Sequence, residues 1–177
     1  MPSSNKEGKK IINSWIEEFS SDVNTIVDLG AGNGNYHRLF YSKNNAILRH
    51  AKWIGIEVWE PYIELYNLKN IYDHIEQEDI RLVDYQKFGN IDLVFAGDVL
   101  EHMTKDEAVQ LVAKLLANSK RVIISIPIVN YPQDEVGGNP FERHVKDDWS
   151  HQEMMDTFPQ IIKHWQGKVI GVYFLTL

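Results

Sequence analysis

Residues 25–34 read Thr25-Ile26-Val27-Asp28-Leu29-Gly30-Ala31-Gly32-Asn33-Gly34, and this stretch decides the fold. Its first half is a short apolar run rich in β-branched side chains, the composition of a strand buried on both faces of a parallel sheet. The run stops at alternating glycines, which let a backbone turn tightly and approach a ligand more closely than any Cβ would allow. A helix is predicted from near Asn35. Strand, glycine turn and helix in that order form the opening unit of an α/β fold.

Upstream, Ile11, Ile12, Trp15, Ile16 and Phe19 share one side of a 3.6-residue period and predict an amphipathic helix. Downstream, after a polar break at Lys43-Asn44-Asn45, a second strand is predicted over 53–58, and Pro61 suits the first turn of the helix that follows. The stretch 72–80 is a weaker strand, interrupted by Glu76, Gln77 and Glu78, and is assigned to a sheet edge. Further strands are predicted over 91–97 and 121–126, with a helix between them opened by the capping box Thr104-Lys105-Asp106-Glu107. A second capping box, Ser150-His151-Gln152-Glu153, opens a late helix that Pro159 ends. Strands over 161–165 and 168–177, joined by Gln166-Gly167, close the chain. The expectation is a doubly wound α/β domain spanning 1–177, with a mostly parallel seven-stranded sheet, an antiparallel C-terminal hairpin strand and helices on both faces.

Composition excludes several classes. The 177 residues are 44% hydrophobic and 24% charged, as in ordinary globular proteins. No apolar run approaches the roughly 20 residues of a membrane span, and the polar start Met1-Pro2-Ser3-Ser4-Asn5-Lys6 has no signal-peptide core, so a cytoplasmic protein without membrane partners is expected. The absence of cysteine removes disulfides, thiolate metal sites and cysteine nucleophiles. A net charge of −7 disfavours general attraction to nucleic-acid phosphates, and the lysines at 6, 9 and 10 read as a solvated terminal face.

In an open α/β sheet the ligand lies beyond the carboxyl ends of the strands. Four places there carry chemistry. The first is the glycine turn. Glu57, about 20 residues on, is placed to accept hydrogen bonds from ribose hydroxyls. Asp79-Ile80 offers an acceptor for an exocyclic amine beside an apolar ring contact. Gly97-Asp98-Val99-Leu100-Glu101-His102 follows the fourth strand, next to the glycine turn.

These four motifs, in this order, resemble those of class I methyltransferases that use S-adenosylmethionine, over roughly residues 10–126. The resemblance implies that Gly30, Gly32 and Gly34, with Ala31, cradle the amino-acid part of the cofactor and that Asp28 supports the turn. Glu57, with Val58, takes the ribose, Asp79 and Ile80 take the adenine, and Gly97 and Asp98 adjoin them. S-adenosylhomocysteine is then the product. A nicotinamide oxidoreductase is the main rival, but Gly34 follows Gly32 by two positions where the dinucleotide fingerprint needs three. A non-catalytic binder of the same cofactor is the other alternative.

The acceptor is less legible. The motif of nucleic-acid base amino-methyltransferases is replaced by Asp98-Val99-Leu100-Glu101, and the C5-cytosine mechanism lacks its cysteine. Transfer to an oxygen or nitrogen of a small molecule is expected, with a protein or nucleic-acid acceptor as the alternative and His102, Asp98 and His144 as candidate catalytic residues. The segment 127–148 is long for a connection and reads as a lid, with Gly137-Gly138 as its hinge and Tyr131, Phe141, Arg143 and His144 as substrate contacts. Asp98 or Glu101 with His102 and His144, ahead of Trp149, also resembles the metal site of small-RNA 3′-terminal 2′-O-methyltransferases, so ribose methylation with a divalent cation is an alternative. The preferred expectation holds no metal there, His102 acting as a base or packing near the cofactor.

Overall fold

The computed structural model describes residues 6–42 and 46–177; residues 1–5 of the polar start and the Lys43-Asn44-Asn45 break lie outside the described residues. The strands are β1 (Thr25–Leu29), β2 (Lys52–Ile56), β3 (His74–Glu76), β4 (Leu93–Gly97), β5 (Val122–Pro127), β6 (Ile161–Gln166) and β7 (Ile170–Leu175). They lie in the order β3-β2-β1-β4-β5-β7-β6. The first five pair in parallel, and β7 runs antiparallel between β5 and β6. Chain order reverses at β1, which pairs with both β2 and β4, and this switch opens a crevice at the carboxyl ends.

Period-two alternation divides each apolar run between two cores. Val27, Leu29, Ile54, Ile56, Val94 and Ala96 face one side, where α4 (Lys105–Asn118) contributes Ala108, Leu111, Val112, Leu115 and Leu116 and α5 (His151–Thr157) contributes Met154. Ile26, Trp53, Leu93 and Phe95 face the other, against Ile12 and Ile16 of α1 (Lys9–Glu17), Tyr36 and Phe40 of α2 (Asn35–Tyr41) and Ile63 of α3 (Glu60–Leu65). Helices therefore cover both faces. No helix among the described residues is long and apolar enough to cross a membrane.

Three local expectations are corrected. The edge strand spans only His74–Glu76, because Tyr72 turns into the core to reach Asp28 and the chain beyond Glu76 leaves the sheet to deliver Asp79. The hairpin turn is longer than Gln166-Gly167: it runs through Val169 and is closed by Gly167 N–H to the Ile170 carbonyl at 2.9 Å. Glu7 explains the added length, since its carboxylate accepts the N–H groups of Lys168, Val169 and Ile170 at 2.8–2.9 Å. The box at Ser150 is half formed: Ser150 Oγ caps the Glu153 N–H, while the Glu153 carboxylate pairs with Lys105 and Lys146. The box at Thr104 is complete.

At the sheet's opposite end, buried Asp92 fastens β1 to β4: its carboxylate accepts the N–H groups of Asn24 and Thr25 and pairs with Lys120 Nζ at 2.7 Å. Burial pushes this carboxyl up, but Lys120 and the two N–H donors outweigh it and hold it below the usual carboxylate range. Its stabilisation is thus present above the unfolded-state pKa of about 3.9 and is lost as pH falls through the lower folded value. Asp92→Ala is expected to cost about 2–3 kcal/mol in urea unfolding at pH 7. The gap from the parent should narrow below about pH 4, and cofactor affinity should not change.

Candidate functional site

After β1, Gly30, Gly32 and Gly34 take left-handed φ values of +56°, +52° and +75°, a path that side-chain-bearing residues resist. Two bonds pin this turn to the end of β2: Ala31 N–H to the Ile56 carbonyl at 2.9 Å and Gly32 N–H to Glu57 Oε2 at 2.8 Å. Glu57 Oε1 accepts from Trp59 N–H at 2.8 Å. Burial raises the Glu57 carboxyl against these hydrogen bonds. Asp28 is fully enclosed below the turn, where Tyr72 Oη donates to it at 2.5 Å and burial pushes its carboxyl up to about 7.

The crevice is a cavity of about 470 Å³, within the range of small-molecule sites. Every predicted cofactor residue except Gly34 lines it: Asp28, Gly30, Ala31, Gly32, Glu57, Val58, Asp79, Ile80, Gly97 and Asp98. Gly34 instead begins α2 and packs below against Ile71. Asp79 arrives with both oxygens gripped by the Arg81 guanidinium, which also reaches Glu107 at 2.6 Å and holds the Asp79 carboxyl low. Asp98 adopts φ +54°, a strained value for a side-chain-bearing residue, and its N–H bonds to the Ser125 carbonyl.

His102 and His144 meet at the other end of the cavity, their rings 4.8 Å apart and edge to face. Each uses Nδ1 toward a backbone carbonyl, His102 toward Arg143 at 3.1 Å and His144 toward Tyr131 at 2.6 Å. An Nδ1–H donating there leaves Nε2 as the lone-pair nitrogen in both rings. Burial lowers both imidazoles, which favours the neutral form. Glu101 stands beside them in a short 3-10 turn, Leu100–His102. One ligand-capable atom from each of Glu101, His102 and His144 lies within 4.8 Å of the others. The Glu101 side chain is 1% exposed and neither carboxylate oxygen has a hydrogen-bond partner among the described residues. Burial, Asp98 and Glu142 all push it well above the usual carboxylate range. Of the two acids expected beside the histidines, Glu101 rather than Asp98 completes the cluster.

The 127–148 segment is ordered by its own hydrogen bonds: Tyr131 N–H to Asp147, His144 N–H to Gln133, and Val145 and Lys146 N–H to the Glu101 carbonyl. Gly137-Gly138, expected as a hinge, forms the two-residue turn between Val136 and Asn139, with both φ values positive as such a turn requires. Tyr131, Phe141, Arg143 and His144 all line the cavity.

Sequence reasoning missed Lys9 and the tyrosines. Lys9 is not part of a solvated face: its Nζ donates to Tyr36 Oη at 2.6 Å and lies 3.8 Å above that ring. Tyr36 in turn lies over Gly97, its ring 2.1 Å from where a Cβ would stand. The only sequence signal was that residue 9 heads the amphipathic helix while Tyr36 follows the glycine turn.

The chain matches the methyltransferase-domain family over residues 27–125, more than half its length. No curated protein matches it. Among solved structures it resembles an S-adenosylmethionine-dependent methyltransferase from Clostridium acetobutylicum ATCC 824, with 12% identity, TM-score 0.72, and coverage of 98% of this chain and 93% of that one. It also resembles the methyltransferase domain of bacterial CtHen1-CN, with 17% identity, TM-score 0.67, and coverage of 95% and 96%. A third is the N-terminal domain of EvdMO1 with SAH bound, with 12% identity, TM-score 0.64, and coverage of 97% and 81%. The fold, the glycine turn and this family match agree, and the chain belongs to the methyltransferase-domain family as a class I, S-adenosylmethionine-dependent methyltransferase.

Proposed function

We propose that this protein moves the methyl group of S-adenosylmethionine to an oxygen or nitrogen of a small-molecule acceptor held between the glycine turn and the 127–148 segment. The observation that carries the reading is one continuous cavity walled by both the predicted cofactor residues and the two facing histidines. Glu57 fits the ribose, because each carboxylate oxygen that accepts a backbone N–H keeps further lone-pair capacity for a hydroxyl. Gly30, Ala31 and Gly32 leave room for the amino-acid part, and Ile80 gives the adenine an apolar wall. Asp79 offers the adenine amine an acceptor that Arg81 has already oriented.

When bound, the cofactor supplies a methyl group on a sulfonium centre. The protein's share is to align the acceptor, exclude water and handle its proton. His102 is suited to the proton: its ring is neutral, its Nδ1 is fixed by Arg143, and its Nε2 is left as the base. His144 packs edge to face on its ring and Asp98 is an electrostatic neighbour that favours its protonated form. The acidic composition and the small-molecule size of the crevice support a small acceptor over a polyanion.

Glu101 favours a second reading. A buried carboxyl group without hydrogen-bond partners among the described residues, beside two imidazoles whose Nδ1 groups are already engaged, is a donor set suited to Mg²⁺, Mn²⁺ or Zn²⁺. A cation there would act as a Lewis acid on an acceptor hydroxyl. This reading makes the acceptor a hydroxyl compound, a ribose 2′-hydroxyl of RNA included.

Labelled cofactor incubated with metabolite, RNA and protein pools is expected to mark the metabolite pool; label confined to RNA would overturn the small-molecule reading. Glu57→Ala should weaken S-adenosylhomocysteine binding in calorimetry by about 1–3 kcal/mol, and an unchanged affinity would remove Glu57 from the ribose site. If the metal reading holds, excess chelator stops turnover, Mn²⁺ restores it, and His144→Ala loses the response while keeping cofactor affinity. Full activity in chelator would leave His102 as a metal-free base.

A further inference from the structure

We infer that Lys9 of α1 receives the carboxylate of the cofactor's amino-acid part. The inference rests on the cofactor reading above and extends it to a residue outside the family match, which begins at residue 27.

The amino-acid part of S-adenosylmethionine is a zwitterion, so its end of the cavity must present both an acceptor for an ammonium and a cation for a carboxylate. At the junction of β1 and β4, Asp98 and the more deeply buried Asp28 offer carboxyl acceptors. The arginines that line the cavity are committed elsewhere: Arg81 grips Asp79 and Glu107, and Arg143 pairs with Glu135, while Lys9 stands just behind the lining, against the cavity-wall residue Tyr36. Lys9 stands at the β1–β4 junction, bonded to Tyr36 Oη above Gly97 and within the electrostatic reach of both Asp98 and Asp28. Burial lowers its ammonium to about 8 against the pull of those two acids, so it remains mostly protonated at pH 7.

Its position is built. Two residues earlier, Glu7 accepts three consecutive N–H groups of the β6–β7 turn. Gly8 lies against β7 so closely that a Cβ would stand 2.5 Å from Val172 Cγ2. The segment is anchored on one strand pair and delivers its third residue to another. A lysine needed only for solubility would not be carried into a site where desolvating its charge is costly.

The test uses two ligands that differ only in the carboxylate, S-adenosylhomocysteine and its decarboxylated analogue, titrated by calorimetry into the parent protein and into Lys9→Met. The parent should prefer the carboxylate-bearing ligand by at least about tenfold. Lys9→Met should lose most of that preference while binding the analogue as the parent does, and Lys9→Arg should restore it. Equal weakening of both ligands, or an undiminished preference in Lys9→Met, would overturn the inference and leave the cofactor reading standing. A parent that discriminates less than about twofold would overturn it even if Lys9→Met failed to fold. A parent that binds neither ligand would overturn the cofactor reading itself.

Discussion

The carboxylate of Glu57 holds two turns at once, and the site depends on that bracing. One oxygen accepts the N–H of Gly32 and the other the N–H of Trp59, so the glycine turn after β1 and the entry to α3 after β2 are fixed to a single side chain. A left-handed glycine path has little conformational preference of its own and loses much entropy on ordering. The bond from Gly32, with that from Ala31 to Ile56, compensates locally and sets the width of the crevice where the sheet order reverses. One side chain thus braces both walls of the crevice.

Charge is the second organising constraint. Asp28, Glu57 and Glu101 are all buried at the carboxyl end of the sheet, and burial raises the pKa of each. For an acid this sign means that folding favours the neutral form, so these groups oppose stability as pH rises above their unfolded values. Asp92, at the opposite end, has the contrary sign because Lys120 and two N–H groups meet it. The fold therefore gains from its carboxylate at the amino end and gives up stability at the carboxyl end. Such a division is expected where a site must bind charged partners that arrive later.

Most of the architecture was legible because the strands are continuous apolar runs that stop at glycine or acid. In 25–29 and 93–97 a strict period-two split sends Ile26, Leu93 and Phe95 to one core and Val27, Val94 and Ala96 to the other. The crevice wall was legible for the same reason, since its residues sit at or just past strand ends. What could not be read depends on long-range contacts. The shortness of β3 follows from Tyr72 reaching Asp28, the longer hairpin turn from Glu7, and the choice of Glu101 over Asp98 from where a 3-10 turn points its middle residue. Lys9 was misread because terminal lysines are usually solvated, and nothing near it in sequence signals Tyr36.

The anchoring of Glu7 on residues 168–170 joins parts of the chain separated by more than 160 positions. During synthesis, which proceeds from the amino end, residues 25–127 can pair into the parallel sheet before that turn has emerged. Ile12 and Ile16 of α1 can already pack on β1 and β4, but the Glu7 and Gly8 end of the segment gains its anchor only when the β6–β7 hairpin forms. The order in which Lys9 settles on Tyr36 is thereby tied to a hairpin made some 160 residues later in synthesis.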